Sequence, residues 1–139
     1  AVLREQGAEI TDPVEIDTAG IGDAELDVLY YEFKAGLNQY LEHSGAPLES
    51  LAAVIRFNEE NAATVMPFFG QEQMLAAEAK GPLSEAEYEQ ALAASRAAMR
   101  ERLTAVLDKH DLDALVAPTN GPAWMNDHVN GDNYKNGSS

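Results

Sequence analysis

Two segments with strand-like spacing stand near the two ends of this chain, and nearly everything between them has the periodicity of helices. Residues 8–16 place Ile10, Val14 and Ile16 at even spacing, with Pro13 marking an edge or the end of pairing. Leu112-Asp-Ala-Leu-Val-Ala-Pro118 reads as a buried strand closed by proline. A strand exposes unpaired N–H and C=O groups along both edges, so two lone strands cannot satisfy each other and also cover several helices. The expected fold is therefore α/β but mostly helical, about four helices between two strands. Its sheet would need neighbours that these 139 residues do not contain.

The helical middle is well marked. Ala1 to Gln6 looks like a last turn and a half closed by Gly7 at C′. So short a helix is marginal alone, so something is expected to precede it. Leu26, Leu29, Tyr30, Phe33, Leu37, Tyr40 and Leu41 recur at three- and four-residue steps, which predicts a helix over 24–42 that stops near Gly45 and Pro47. A second helix is expected over 51–65, broken at Pro67. An aromatic turn at Phe68-Phe69-Gly70-Gln71 leads to a short helix through Ala79. Ser84 and Glu87 match a capping box that opens the longest helix, to about Lys109, with Tyr88, Leu92, Ser95, Met99, Leu103 and Val106 on one face. Residues 119–139 lose all periodicity and carry Asn-Gly pairs at 120, 130 and 136, which reads as an irregular tail to one partial domain spanning 1–139.

Composition excludes several classes of function. With 24 acidic against 9 basic residues the formal charge is −15, so phosphate backbones and anionic membranes are repelled and nucleic acid is not an expected partner. There is no cysteine, which removes disulfides, thiol catalysis and thiolate metal sites. No apolar run approaches the roughly 20 residues that span a bilayer, and the first residues lack the features of a signal peptide. The cytoplasm is the default expectation.

Catalytic chemistry is hard to place on these residues. A nucleophilic hydrolase needs an activated Ser, Cys or Thr with a base in reach and donors for the oxyanion. Ser84 has a capping role, Ser95 lies mid-helix, Ser44 and Ser50 flank a loop, and Gly137-Ser138-Ser139 is the only glycine–serine stretch. Asp127, His128 and Asp132 lie close in sequence, but their Asn/Gly context is that of ordinary polar loop residues, so no metal is expected. No phosphate-cradling loop occurs and no cofactor is expected. One stretch differs: Leu112 to Trp124 runs from a strand into Pro-Thr-Asn-Gly-Pro-Ala-Trp, and ligand crevices of open α/β sheets sit at such strand ends. A structural Asn-Gly turn explains it equally well.

These segments, taken together, resemble the amidase signature family of serine hydrolases. The resemblance rests on Gly7-Ala8-Glu9-Ile10 through Val14-Glu15-Ile16, Tyr31-Glu32-Phe33-Lys34 with Leu37-Asn38-Tyr40-Leu41, and Phe57-Asn58. It continues with Met66-Pro67-Phe68-Phe69-Gly70-Gln71-Glu72 and with Leu112 through Pro122. It implies an α/β/α fold with a mixed sheet and hydrolysis of carboxylic amides by a Ser-cisSer-Lys triad, in a stretch upstream of this segment. The four lysines, Lys34, Lys80, Lys109 and Lys135, have no triad-like context, so catalytic residues are expected to be absent.

What the resemblance carries over is a substrate side. Thr119, Asn120 and Gln71 would hydrogen-bond a small-molecule amide, and Phe69 and Trp124 would supply apolar surface. On this reading the chain is the substrate-side segment of an amidase, incomplete by itself. The alternative is an acidic helical interaction or regulatory module without enzymatic activity. Either way, helices cut from their surroundings would leave an apolar face and a tendency to self-associate.

Overall fold

The computed structural model describes residues 2–117 and 123–131, and its regular structure is helical. Six helices occur among the described residues: α1 (Val2–Glu5), α2 (Gly22–Ser44), α3 (Leu51–Glu60), α4 (Ala62–Val65), α5 (Glu72–Glu78) and α6 (Ala86–His110). No β-strand occurs among them. The only β pairing among the described residues is one antiparallel bridge between Asp127 and Gly131. The expected α/β architecture, with a mixed sheet and strands at 8–16 and 112–118, is therefore overturned. A strand is stable only when a neighbour takes up its backbone groups, and neither segment has one among the described residues. Val116, expected in a buried strand, is 78% exposed.

The chain divides into two compact units, residues 17–102 and residues 1–16 with 103–139. In the first, the core is small: Leu51 and Ile55 of α3 and Ala77 of α5 are buried together, with Tyr30, Leu37 and Met74 packed around them. Burying each large aliphatic side chain contributes about 1.5–3 kcal/mol, so α3 and α5 are held chiefly by this cluster against α2. Helix α2 ends where expected, at Gly45 in the left-handed conformation (φ 70°). Ser50 begins α3 by accepting a hydrogen bond from the Ala53 amide at 3.1 Å. A second donor left over at that helix start, the Leu51 amide, is satisfied from α2 by Asn38 Oδ1 at 2.7 Å.

The single helix expected over 51–65 is two. Asn61 leaves helical geometry (φ −117°, ψ 21°), and its side-chain amide donates to the Phe57 carbonyl at 2.8 Å, competing with the backbone ladder. Before α2, Arg102 of α6 donates to the carbonyls of Asp17 (2.9 Å) and Ala19 (2.8 Å), fixing the entry turn that buries Ile21.

The second unit is built on two helix ends of the same kind. After α1, the Ala8 amide donates to Leu3 O (3.0 Å) and the Gly7 amide to Arg4 O (3.1 Å), with Gly7 at φ 93°. After α6, Leu112 donates to Leu107 O (2.9 Å) and Asp111 to Asp108 O (3.4 Å), with Asp111 at φ 51°. Both are Schellman closures, the first with glycine at the left-handed position and the second with aspartate. Among the described residues no helix is long and apolar enough to cross a membrane.

Candidate functional site

Polar side chains gather on the 17–102 unit in a groove of about 700 Å³ between α2, the end of α5 and the start of α6. Asp27, Tyr31 and Lys34 stand at i, i+4 and i+7 of α2, one ridge of the helix. Tyr31 is 1% exposed, and its hydroxyl donates to Glu85 Oε2 at 2.8 Å, with Glu87 Oε2 at 3.5 Å. The Glu85 carboxylate, helped by burial, pushes the Tyr31 phenol up to about 12. Its ring lies 5.4 Å from that of Tyr88, which joins α2 to α6, and Lys80 Nζ sits 5.2 Å from the ring centroid.

Both lysines of the groove are committed. Lys34 Nζ donates to the carbonyls of Glu78 (2.6 Å) and Lys80 (2.7 Å) and lies 3.3 Å from Glu78 Oε1. It closes the C-terminus of α5, where carbonyls have no helical partner. Lys80 Nζ pairs with Asp27 Oδ1 at 2.9 Å, and that bond raises its pKa. A lysine serving as general base needs the opposite shift. The groove thus presents the Tyr31 phenol held neutral and the Lys80 ammonium held charged, which suits clasping three segments together or contacting a polar ligand.

A second network fixes the aromatic turn. Gln71, the residue before α5, donates from Nε2 to Ile55 O (3.1 Å) and accepts at Oε1 from Asn58 Nδ2 (3.0 Å). Both ends of its carboxamide are engaged, so Gln71 anchors the 66–71 turn to α3. Phe69, two residues earlier, is 51% exposed. These two expected site residues are neighbours. Trp124 belongs to the other unit and is partly exposed, and Thr119 and Asn120 lie outside the described residues.

Ser44, Ser50 and Asp127 fill local roles. Ser44 donates to Leu41 O at 3.1 Å, and Ser50 starts α3. Asp127 closes a turn by accepting from the Val129 and Asn130 amides and from Asn130 Nδ2, which lowers its pKa. Glu87 faces Tyr31, a different use from its expected part in a capping box with Ser84. No group of three or more His, Asp or Glu side chains among the described residues is placed to hold a metal.

Tyr31, Lys34 and Lys80 are not among the expected site residues: the two lysines lack a triad-like context, and Tyr31 stands only within a family motif. The available signal is the i, i+4, i+7 spacing of Asp27, Tyr31 and Lys34, which puts three polar groups on one ridge of an amphipathic helix.

No protein-family model matches the chain, and no curated protein does. Three solved structures do. PAM12A is 40% identical with a TM-score of 0.83, over 99% of this chain and 28% of that one. The peptide amidase PAM in complex with the competitive inhibitor chymostatin is 41% identical, with the same score and coverage. The native peptide amidase from Stenotrophomonas maltophilia is 43% identical with a TM-score of 0.76, over 88% of this chain and 25% of that one. The chain is thus homologous to a segment of peptide amidase, which supports the amidase-signature membership its motifs imply. It spans about a quarter of the length of these relatives.

Proposed function

We propose that this chain is an acidic helical module of a peptide-amidase-type hydrolase, holding structure and contacts for that enzyme and carrying no amide hydrolysis of its own. The observation behind this reading is the match itself: 40–43% identity across 88–99% of the chain, against only 25–28% of the relatives. The commitment of Lys34 and Lys80 to carbonyls and carboxylates supports it, since a Ser-cisSer-Lys mechanism needs a lysine that can exchange a proton. On this reading residues 1–139 are part of one amidase domain, and the cleavage of a carboxylic or peptide amide is carried by residues outside them. The test is ammonia release from a peptide amide by the purified 139-residue chain. No release is expected, and turnover above the no-enzyme rate would defeat the proposal.

A second reading, that the segment also walls the substrate pocket, draws support from the 66–71 turn. Gln71 is braced on Ile55 and Asn58, and this presents the Phe69 ring at a turn that cannot drift. Phe69 would then contact the acyl group directly, and Gln71 would position the Phe69 turn. In an assembled enzyme Phe69→Ala should raise KM while Gln71→Ala raises KM and lowers Tm. Unchanged KM in both would refute the wall.

A further inference from the structure

Along α2, Leu26, Leu29, Phe33 and Tyr40 fall on one stripe of the helix, at steps of three, four and seven residues. All four are exposed, Leu29 to 59% and Tyr40 to 66%. The stripe is offset from both working faces of α2. Asp27, Tyr31 and Lys34 face the groove, while Tyr30 and Leu37 pack on the core. Gly36 completes the row between Phe33 and Tyr40. A Cβ built on it would meet no atom within 4 Å. Glycine inside a helix is destabilising relative to alanine, and among the described residues nothing beyond its own helix backbone uses the space its missing side chain leaves. Glycine is the residue that lets another chain come close to a backbone. Contiguous exposed apolar surface is likewise the mark of a contact yet to be made.

We infer that the stripe of Leu26, Leu29, Phe33, Gly36 and Tyr40 is the seat for the remaining part of a peptide-amidase-type chain, with Gly36 the point of closest approach. This rests on the proposed function above. The occupant follows from two observations. The chain superposes over 99% of its length, at a TM-score of 0.83, on proteins of which it forms only 28%, so in them the corresponding helix sits within a chain more than three times as long. A second copy is the poorer occupant. At a formal charge of −15, with Glu25 and Glu32 beside the stripe, two copies would bring like charges together. The surface that fits is apolar with lysine or arginine along its rim.

The experiment co-expresses the 139-residue chain with Stenotrophomonas maltophilia peptide amidase lacking its matching quarter and carrying an affinity tag. The wild-type chain should be captured, or should render an otherwise insoluble remainder soluble. Leu29→Asp and Gly36→Leu, both at exposed positions and checked for helicity, should cut capture at least about tenfold, the effect of a penalty near 1.4 kcal/mol. In the chain alone, Gly36→Ala should raise Tm by about 3 °C. If the wild-type chain is not captured, the peptide-amidase reading falls and this inference with it. If wild type and both variants are captured equally, that reading stands and the stripe is not the seat. A wild-type dimer that Leu29→Asp dissociates gives the face to a second copy and overturns the proposal. A lower Tm for Gly36→Ala overturns the role of Gly36.

Discussion

Removing the Lys34 ammonium should cost this chain more than any other single surface-reaching charge. In Lys34→Met the stem keeps its packing, but the carbonyls of Glu78 and Lys80 lose donors at 2.6 and 2.7 Å, and Glu78 Oε1 loses its cation at 3.3 Å. The other oxygen of that carboxylate, Oε2, is already buried without a hydrogen-bond partner, so the substitution leaves the whole group uncompensated. Hydrogen bonds to a charged group contribute about 1.5–3 kcal/mol each when sheltered. The two side chains remain 23% and 33% exposed, and solvent screening reduces the sum. A net loss of about 2–3 kcal/mol is expected. Unfolding entropy near 2.1 cal/mol/K per residue gives about 0.29 kcal/mol/K for 139 residues, so Tm should fall by about 7–10 °C. Circular dichroism during thermal and urea unfolding reads the change. Adding Glu78→Gln should recover part of it, because the unpaired carboxylate is then gone. Lys80→Met, which breaks the Asp27 pair but uncaps no carbonyl, should lose less than half as much. A loss under about 0.5 kcal/mol for Lys34→Met would refute the clasp, since water would then be replacing Nζ at both carbonyls.

Three further outcomes follow from single contacts. Tyr31, pushed up to about 12 by Glu85, gains stability from its neutral form that is fully present below the unfolded pKa near 10 and lost as pH rises through 12. Absorbance titration at 295 nm should show a late-ionising tyrosine that disappears in Tyr31→Phe, together with the loss of stability between pH 10 and 12. Asp127 has a lowered pKa, so the turn it closes is stabilised above the ordinary aspartate value and released as pH falls through the folded one. Amide signals of Val129 and Asn130 should shift with that acid titration in wild type and be insensitive in Asp127→Asn. Asp111 occupies the left-handed position that closes α6 (φ 51°), so Asp111→Gly should stabilise by about 0.5–1 kcal/mol in chemical denaturation, while a destabilised variant would contradict the Schellman reading.

The parts of the fold that were legible in the sequence are those governed by neighbours along the chain. Gly45 marks a helix end by its own conformational habit, and the start of the next helix at Leu51 was visible in its spacing. The face Tyr88, Leu92, Ser95, Met99, Leu103 and Val106 is half-buried along α6 as its spacing requires. The break at Asn61 was missed because it depends on one side chain turning back to Phe57 O, in a stretch whose apolar period continues undisturbed. The groove was hidden for a related reason. Tyr31 meets Glu85 across 54 residues and Lys34 meets Lys80 across 46, and no local pattern records such partners. Of the expected site residues, Phe69 and Gln71 were visible as a compact aromatic turn, but the brace from Asn58 and Ile55 that holds it was not.

The two expected strands show what a periodicity argument leaves out. Alternation at Ile10, Val14 and Ile16, and the apolar run ending in Val116 and Ala117, describe which face of an extended segment could be buried, while a strand exists only where a second backbone accepts its hydrogen bonds. Among the described residues no such backbone pairs with them, so residues 8–16 and 112–117 stay irregular despite their composition. The exposed stripe on α2 is the same situation with a different outcome. A helix satisfies its own backbone, so Leu26 to Tyr40 can keep its conformation with one apolar face uncovered, whereas a strand in the same position loses its regular structure. The helical elements of a segment a quarter the length of its relatives therefore persist and can present a preformed surface, with Gly36 at its middle and carboxylates at its edge.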